Sequence, residues 1–474
     1  MSNFEVIIGV EIHIELNTKT KMFSPAPNRF NDEPNTNVHP IDLAYPGTLP
    51  LVNKQAIVKA IKLAKALKME IDPLVRLDRK NYFYPDLPKG YQITQQFHPI
   101  AQNGSLLINV NGQEKNIEIE RFHLEEDTAK QTITDTQILH DFNRSGVPLI
   151  EIVTKPIIRS ADEAIAYIDT IRKIALALDI SEARMDRGGL RADINISLRP
   201  YGYQGYGNRV EIKNLNSLSN VKKAIDLEIQ NQTKTYLENK SVDQVTKRFD
   251  ESKQEVITMR AKSDAIDYRY FRDPNIPTIK ISQSTIDSIK INELPWEKQA
   301  RYEREKLNQI QITALVNDLK LATYFDSIKY SERDKLANLF FSEVVSLANK
   351  TQKHVVDLGI KIPVLEDLLK RLTNEEISAK HFKAIVPLLV NSADNLDEII
   401  KGNNYFLIKD EKILESYLLE LMKQNEKVVN EYLEKPEKVN KLLLGLLMKK
   451  TSTQAHPIIS SKILEKLLKL KFGK

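Results

Sequence analysis

Five short stretches within the first 220 residues alternate between apolar and polar positions, and each polar face carries residues capable of chemistry. In "VEIHIEL", Glu11, His13 and Glu15 share one face of an extended strand while Val10, Ile12, Ile14 and Leu16 share the other. "RADINISLR" sets Asp193, Asn195 and Ser197 opposite Ile194, Ile196 and Leu198, and "NRVEIKNL" puts Arg209, Glu211 and Lys213 on one side. "RFHLEED" places Arg121, His123 and Glu125 against Phe122 and Leu124, and "PLIEIV" embeds Glu151 in a run apolar enough for a central strand. A sheet with one solvated face explains simple alternation. Solvated faces favour Thr, Lys and Ser, however, and an unpaired carboxylate in a central strand is costly. A concave polar face that binds a ligand is therefore expected.

Alternation, with turns built on Pro, Gly and Asn, continues to about residue 292. After "NELPWEKQARY" the pattern takes a helical period in stretches such as "DKLANLFFSEVVSLANK", "ILESYLLELMKQNEKVVNEYLEK" and "SSKILEKLLKLK". Pro295 marks the change, and "GNNYFLIKDEK" near residue 402 breaks the helical part in two. Three domains follow: an α+β domain over 1–292 with a mostly antiparallel sheet and helices, a helical domain over 293–404 and an all-α tail over 405–474. No internal repeat or low-complexity linker separates them, so the domains are expected to pack together.

Composition narrows the classes. The 474 residues are 41% hydrophobic and 28% charged, as in a globular protein, and no apolar run approaches the ~18 residues of a membrane span. The N-terminus lacks the basic start and cleavage site of a signal peptide and reads as mature structure. Cysteine is absent, which removes disulfides, thiolate zinc sites and a cysteine nucleophile and points to the cytoplasm. The net charge of +5 is modest, but residues 436–474 carry nine lysines against Glu437 and Glu465. That segment suits a polyanion such as RNA, with a solvated helix face as the alternative.

Carboxylates with a single imidazole and no thiolate select a hard divalent ion, Mg²⁺ or Mn²⁺, of the kind that bridges protein acids to substrate phosphates. The phosphates then need cations. There is no GxxxxGK[ST] loop, and "YGYQGYG" does not match a dinucleotide fingerprint. The stretch "LDRKNYFYPDLPKGYQIT" sets Arg79 and Lys80 before Tyr82, Phe83 and Tyr84, then two prolines, Lys89 and Tyr91. These cations and Arg191 are the candidate phosphate clamps. A lone lysine is usually surface decoration, but this backbone is stiffened by proline and aromatic residues. It forms a platform aiming lysines and phenols at the acidic face, where phosphoryl transfer depends on placement and electrostatics.

That stretch resembles the signature of the B subunit of the aspartyl/glutamyl-tRNA amidotransferase. "GVEIHIEL", "EPNTNVHPIDLAYPGTLPLVN", "HLEEDTAK", "NRSGVPLIEIV", "GLRADINISLRP", "EIKNLNS" and "DYRYF" appear in the family's order over the first ~290 residues. The resemblance implies a component of a heterotrimer, with a cradle domain related to the glutamine synthetase and guanido-kinase core. Such a component uses ATP and Mg²⁺ (or Mn²⁺) to phosphorylate the side-chain carboxylate of Glu-tRNA(Gln) or Asp-tRNA(Asn). Ammonia, released from glutamine by the amidase (A) subunit, displaces the phosphate; a small C subunit completes the complex, and no membrane is involved. By motif, Glu11, His13, Glu126 and Glu151 are expected at the metal. Lys80, Tyr82, Lys89 and Glu126 are expected at the reaction, Arg79, Arg191, Asp193 and Asn195 at ATP and phosphate, and Lys449, Lys450 and Lys462 on tRNA. Whether Glu125 or Glu126 faces the metal stays open, because "EED" is expected to begin a turn that breaks the alternation. Lys89 is expected to serve acyl-phosphate formation and Lys80 to couple it to amidation.

The chain also departs from the family's pattern. Where some members carry a cysteine zinc site it has Ser24, Ala26, His39 and Asp42, so zinc is not expected. "MDRGGLRAD" places Arg187 where an acid is usual, "DYRYFRDPN" replaces "DYRYFPEPD", and "TSTQAHP" replaces the usual turn of the tail. A tRNA-binding scaffold with a decayed site, and a free-standing carboxylate–amine ligase, are the competing readings. The retained acids and lysines argue against the first and the basic tail against the second.

Overall fold

The computed structural model describes residues 4–30, 33–261, 267–391 and 395–473 in two compact units, Met1–Gln299 and Ala300–Lys474. The alternating segments of the first unit become strands. In chain order they are β1 (Phe4–Glu15), β2 (Glu70–Ile71), β3 (Leu74–Val75), β4 (Asp78–Asn81), β5 (Tyr91–Thr94), β6 (Ala101–Val110), β7 (Gln113–Glu126) and β8 (Lys130–Ile133). After them come β9 (Ile138–Asp141), β10 (Pro148–Thr154), β11 (Leu190–Pro200), β12 (Val210–Leu215), β13 (Val245–Asp250), β14 (Glu255–Ala261), β15 (Phe271–Arg272) and β16 (Ile279–Lys280).

Nine of them form one sheet in the order β14-β13-β12-β11-β1-β10-β7-β6-β2. Its pairs are antiparallel except β12 with β13, which makes a mixed sheet. The first strand in sequence is thus central, paired with β11 from Phe4 to Ile14 and with β10 from Glu11 to Glu15. One face is apolar: Ile12 lies opposite Ile152 and Ala192, and all three are fully buried.

Three helices belong to the core on that side: α1 (Lys54–Ala66), α2 (Ala161–Ala177) and α3 (Leu218–Leu237). Each starts at a polar cap whose side chain accepts backbone N–H groups of the first turn: Asn53, Ser160 and Ser217. In α2 the residues Ala164, Tyr167, Ile168, Ile171, Ile174 and Ala175 recur at helical spacing and form the buried stripe. Each buried isoleucine there contributes roughly 1.5–3 kcal/mol. With one face sealed by helices, chemistry is left to the other.

Three short strands, β15-β4-β5, form a separate small sheet carrying the stiff aromatic stretch, and β8 with β9 makes a hairpin. The second unit has two apolar cores. One gathers Phe325, Phe340, Leu368 and Phe382, and the other gathers Leu414, Leu418, Leu443, Leu447, Leu464 and Leu468. The second comes from helices Glu411–Gln424, Pro436–Lys450 and Pro457–Phe472, two of which begin with proline, where its missing N–H is harmless. Between the cores, the Leu407 N–H donates to Glu376 O at 2.8 Å, and His456 Nε2 stands 2.9 Å from Glu375 Oε2. No helix among the described residues is long and apolar enough to cross a membrane.

Candidate active site

The register of the central strands brings the polar residues into rows. His13 lies opposite Arg191 on β11 and Glu151 on β10, and Glu151 lies opposite His123 on β7. Glu11 lies opposite Asp193, and Asn195 opposite Glu211. Two acid clusters result, both anchored on β1.

In the first, His13 Nε2 stands 3.3 Å from Glu151 and 3.7 Å from Glu125. His123 Nε2 approaches the same carboxylates, at 3.4 Å and 3.7 Å. Burial alone would lower both imidazoles, but the facing carboxylates outweigh it; His13 is raised and His123 is pushed up to about 9. Burial works against ionising Glu151, yet the two histidines hold it well below the usual carboxylate range. One ligand atom each from His13, Glu125 and Glu151 lies within 4.8 Å of the others, close enough to share one ion.

The second cluster joins Glu11, Asp193 and Glu211, again within 4.8 Å. Asn195 Nδ2 donates to Glu11 Oε1 at 2.7 Å, and Thr246 Oγ1 donates to Glu211 Oε2 at 2.9 Å. Lys213 Nζ lies 2.7 Å from Asp193 and 3.1 Å from Glu211. Burial, with Glu151 and Asp193 adding repulsion, raises Glu11. Both donor sets are carboxylate oxygens with at most one imidazole, which fits Mg²⁺ or Mn²⁺.

Beside the first cluster, Asp127 accepts from Arg144 at 2.7 Å and from Arg191 at 2.9 Å. Arg144 also donates to Glu15. Gly146 makes the turn that delivers Arg144: its φ is +85°, and a Cβ there would meet Asp42 Oδ1 at 2.9 Å. Asp42 in turn pairs with the buried Lys21, whose ammonium also reaches Asn37 O. His39 donates its backbone N–H to the same Asp42 carboxylate, and the Ala26 N–H donates to Ser24 Oγ.

The small sheet splits the basic residues by the same period of two. Lys80 sits over the Tyr268 ring at 4.9 Å; burial lowers its ammonium, but Glu125, Tyr270 and Glu151 outweigh this and raise it. Burial, with Glu125 and Asp86 adding, drives the Tyr82 phenol upward, so it stays protonated; its hydroxyl reaches Gln92 Oε1 at 3.4 Å. Lys89 is paired with Glu126 and belongs, with Tyr45, Thr48, Arg79, Tyr91 and Asn275, to the lining of a cleft of about 380 Å³.

The expected site residues divide among several settings. Strand β7 runs through Glu126, so alternation survives: Glu125 faces the histidines, while Glu126 turns to Lys89 and accepts the Ile93 N–H at 3.0 Å. Glu126 is therefore outside the His13 cluster. Arg79 points away from Lys80 and is held by Asp273 at 2.7 Å and by the Tyr91 ring at 4.0 Å, so it is no free phosphate clamp on the acidic face. Asp193 and Asn195 belong to the Glu11 cluster, where a carboxylate would repel phosphate unless a cation stood between them. Glu11 and His13 fall in different clusters, although they share one strand face.

In the second unit Lys449 and Lys462 are exposed, whereas Lys450 is paired with Glu420 and lies over Tyr417. Lys462, Lys466 and Lys469 line an open depression on the last helix.

The family description "GatB/GatE catalytic domain" matches residues 6–287, and "GatB domain" matches 323–468. Over 472 residues the chain is 57% identical to the B subunit of the aspartyl/glutamyl-tRNA(Asn/Gln) amidotransferase of Mycoplasmopsis pulmonis (strain UAB CTIP), covering 100% of both chains. The chain belongs to the GatB family of amidotransferase B subunits. Relatives of the same name include those of Mycoplasmopsis agalactiae (strain NCTC 10123 / CIP 59.7 / PG2), 54% identical with full coverage of both chains, and Mesoplasma florum (strain ATCC 33453 / NBRC 100688 / NCTC 11704 / L1), 43% identical over 99% of this chain and 100% of the relative. In this member of the GatB family, sequence alone leaves His123, Asp127, Arg144, Glu211, Lys213 and Thr246 without a role. The signal for His123 and Glu125 is present in the alternation of "RFHLEE". None marks Arg144 or Thr246, whose roles arise from a turn and from a neighbouring strand.

Proposed function

We propose that this chain performs the ATP-dependent steps of tRNA-dependent transamidation, converting Glu-tRNA(Gln), Asp-tRNA(Asn) or both to the amide. The observation that carries this reading is the pair of acid clusters that share strand β1, three atoms each within 4.8 Å, beside a cationic platform. His13, Glu125 and Glu151 would hold one divalent ion, and Glu11, Asp193 and Glu211 a second. Such ions supply charge neutralisation for the phosphates of ATP.

A carboxylate is a poor electrophile. Transfer of the γ-phosphoryl group from ATP to the side-chain carboxylate oxygen releases ADP and leaves an acyl phosphate. Ammonia then attacks the carbonyl carbon, a proton leaves the nitrogen and phosphate departs. Lys80, whose ammonium is favoured by the charges of Glu125 and Glu151, would balance charge on the transferring group, together with Arg191 and Arg144 at the edge of the cluster. Lys89 and Glu126 lie by the cleft on the other side of the platform and serve the nitrogen step. This reverses the division of labour expected from the order of the two lysines in the chain. Tyr82, kept protonated, would act through its hydroxyl as a hydrogen-bonding group and not as a phenolate.

The chain has no cysteine, so thiol-based glutamine hydrolysis must come from elsewhere. In this reading an amidase partner supplies ammonia, a small third component completes a cytoplasmic heterotrimer, and the basic tail beyond residue 405, through Lys449 and Lys462, grips tRNA. In this reading the mostly antiparallel sheet, with acids on one face, would be a core of the glutamine synthetase and guanido-kinase type. The test is a reconstituted complex supplied with both misacylated tRNAs. Phosphate release and amide formation are expected for the unaltered chain and in neither Glu11→Gln nor His13→Ala. Turnover that persisted unchanged in both variants would remove the two clusters from the reaction.

A further inference from the structure

Lys213 occupies the place in the second cluster that a cation would take. Its ammonium lies 2.7 Å from Asp193 and 3.1 Å from Glu211, two of the three acids whose oxygens converge there. Without it, three carboxylates would face one another with no positive charge between them, a like-charge arrangement that is strongly unfavourable. A divalent ion entering the same space must displace the ammonium. The side chain can leave, because 37% of it is exposed, whereas the Asp193 and Glu211 side chains are only 13% and 12% exposed.

A second observation at the cluster is an unsatisfied buried oxygen. Asn195 is 9% exposed, and its Nδ2 is committed to Glu11, yet its Oδ1 is buried with no partner among the described residues. Buried amide oxygens are nearly always satisfied, and an orphan beside converging carboxylates is an oxygen donor awaiting a ligand. Thr246, 2% exposed, donates to Glu211 at 2.9 Å and so restrains the carboxylate when the lysine leaves.

We propose that Lys213 is an internal counter-ion of the Glu11/Asp193/Glu211 cluster that a divalent ion displaces when nucleotide binds, the freed ammonium then pairing with the nucleotide's phosphates. The device rests on the two-cluster reading above. It makes nucleotide and second ion bind together: the ion alone competes with a tethered ammonium, and the nucleotide removes the competitor by offering it phosphate. By linkage, each ligand then raises the affinity for the other.

The test measures Mn²⁺ binding to the full-length chain by the loss of free-ion electron paramagnetic resonance signal, with and without a non-hydrolysable ATP analogue. Wild-type protein is expected to fill the second site tightly only with the analogue present. Lys213→Met and Lys213→Gln are expected to bind Mn²⁺ at that site at least about tenfold more tightly without nucleotide, since a competing charge at contact distance is gone. The analogue should add clearly less affinity in either variant than in wild type. Combining Lys213→Met with Glu211→Gln should abolish the gain, which assigns it to this cluster. Two neutral variants guard against one that misfolds. Mn²⁺ affinity unchanged or weakened in both, or a nucleotide effect as large as in wild type, overturns the role of Lys213 alone. Wild-type protein that binds no Mn²⁺ with or without the analogue overturns the two-cluster reading itself, and this proposal with it.

Discussion

Glu125 and Glu126 are neighbours in the chain, yet their carboxylates serve opposite sides of strand β7: Glu125 stands 3.7 Å from His13 Nε2, and Glu126 is paired with Lys89. The same substitution at each should therefore fail differently. Glu125→Gln is expected to weaken Mn²⁺ binding at the His13 cluster and to lower phosphate release by about 10²-fold, the scale of losing one electrostatic group at a reacting centre. Glu126→Gln is expected to leave ion binding intact while lowering amide formation. Equal losses of ion affinity in the two variants would contradict the geometry.

Lys80 and Lys89 offer a second separation. Methionine keeps most of the side-chain length and removes the charge. Lys80→Met is expected to reduce phosphate release and amide formation together, whereas Lys89→Met should release phosphate with amide formation falling behind. Both products are to be measured in the same reaction with misacylated tRNA. Proportionate loss of both outputs in both variants would mean that the platform acts as one unit.

The Lys21–Asp42 pair lies where neither side chain reaches solvent, 0% and 2% exposed. Lys21→Met leaves a buried carboxylate without its partner and is expected to lower stability by ~3–5 kcal/mol. Replacing both, Lys21→Met with Asp42→Leu, should recover much of that loss, because the uncompensated charge is gone. Urea unfolding of the single and double variants measures the difference. A double variant no more stable than Lys21→Met would show that the other contacts of these residues carry the stability.

On the last helix, Lys462 and Lys466 are exposed, whereas Lys450 is already paired with Glu420. Replacing Lys462 and Lys466 by alanine is expected to weaken tRNA binding and to reduce its salt slope by about one to two, in line with counterion release per phosphate contact. Lys450→Ala should change the slope less. Filter binding across a range of salt concentrations gives the slopes directly. Unaltered slopes would mark this surface as merely solvated.

The polar faces that build the candidate site were legible in the sequence because period-two alternation is a local property. The pleat forces Glu11 and His13 onto one face and Ile12 and Ile14 onto the other, whatever surrounds the strand. The apolar character of "PLIEIV" marked a central strand, and β10 does lie between β1 and β7. What alternation cannot supply is the register between strands, which depends on how distant segments pair. Register decides that Glu11 meets Asp193 and that His13 meets Glu151, and so that one row of polar residues becomes two clusters. Strand length is likewise a tertiary matter: β7 continues through Glu126 because β10 is there to pair with it, which is why a turn expected at "EED" does not form. The charges of Lys213 and Arg144 could be read from the chain. Their tasks could not, because each is set by a carboxylate that pairing or a turn brings within hydrogen-bonding distance.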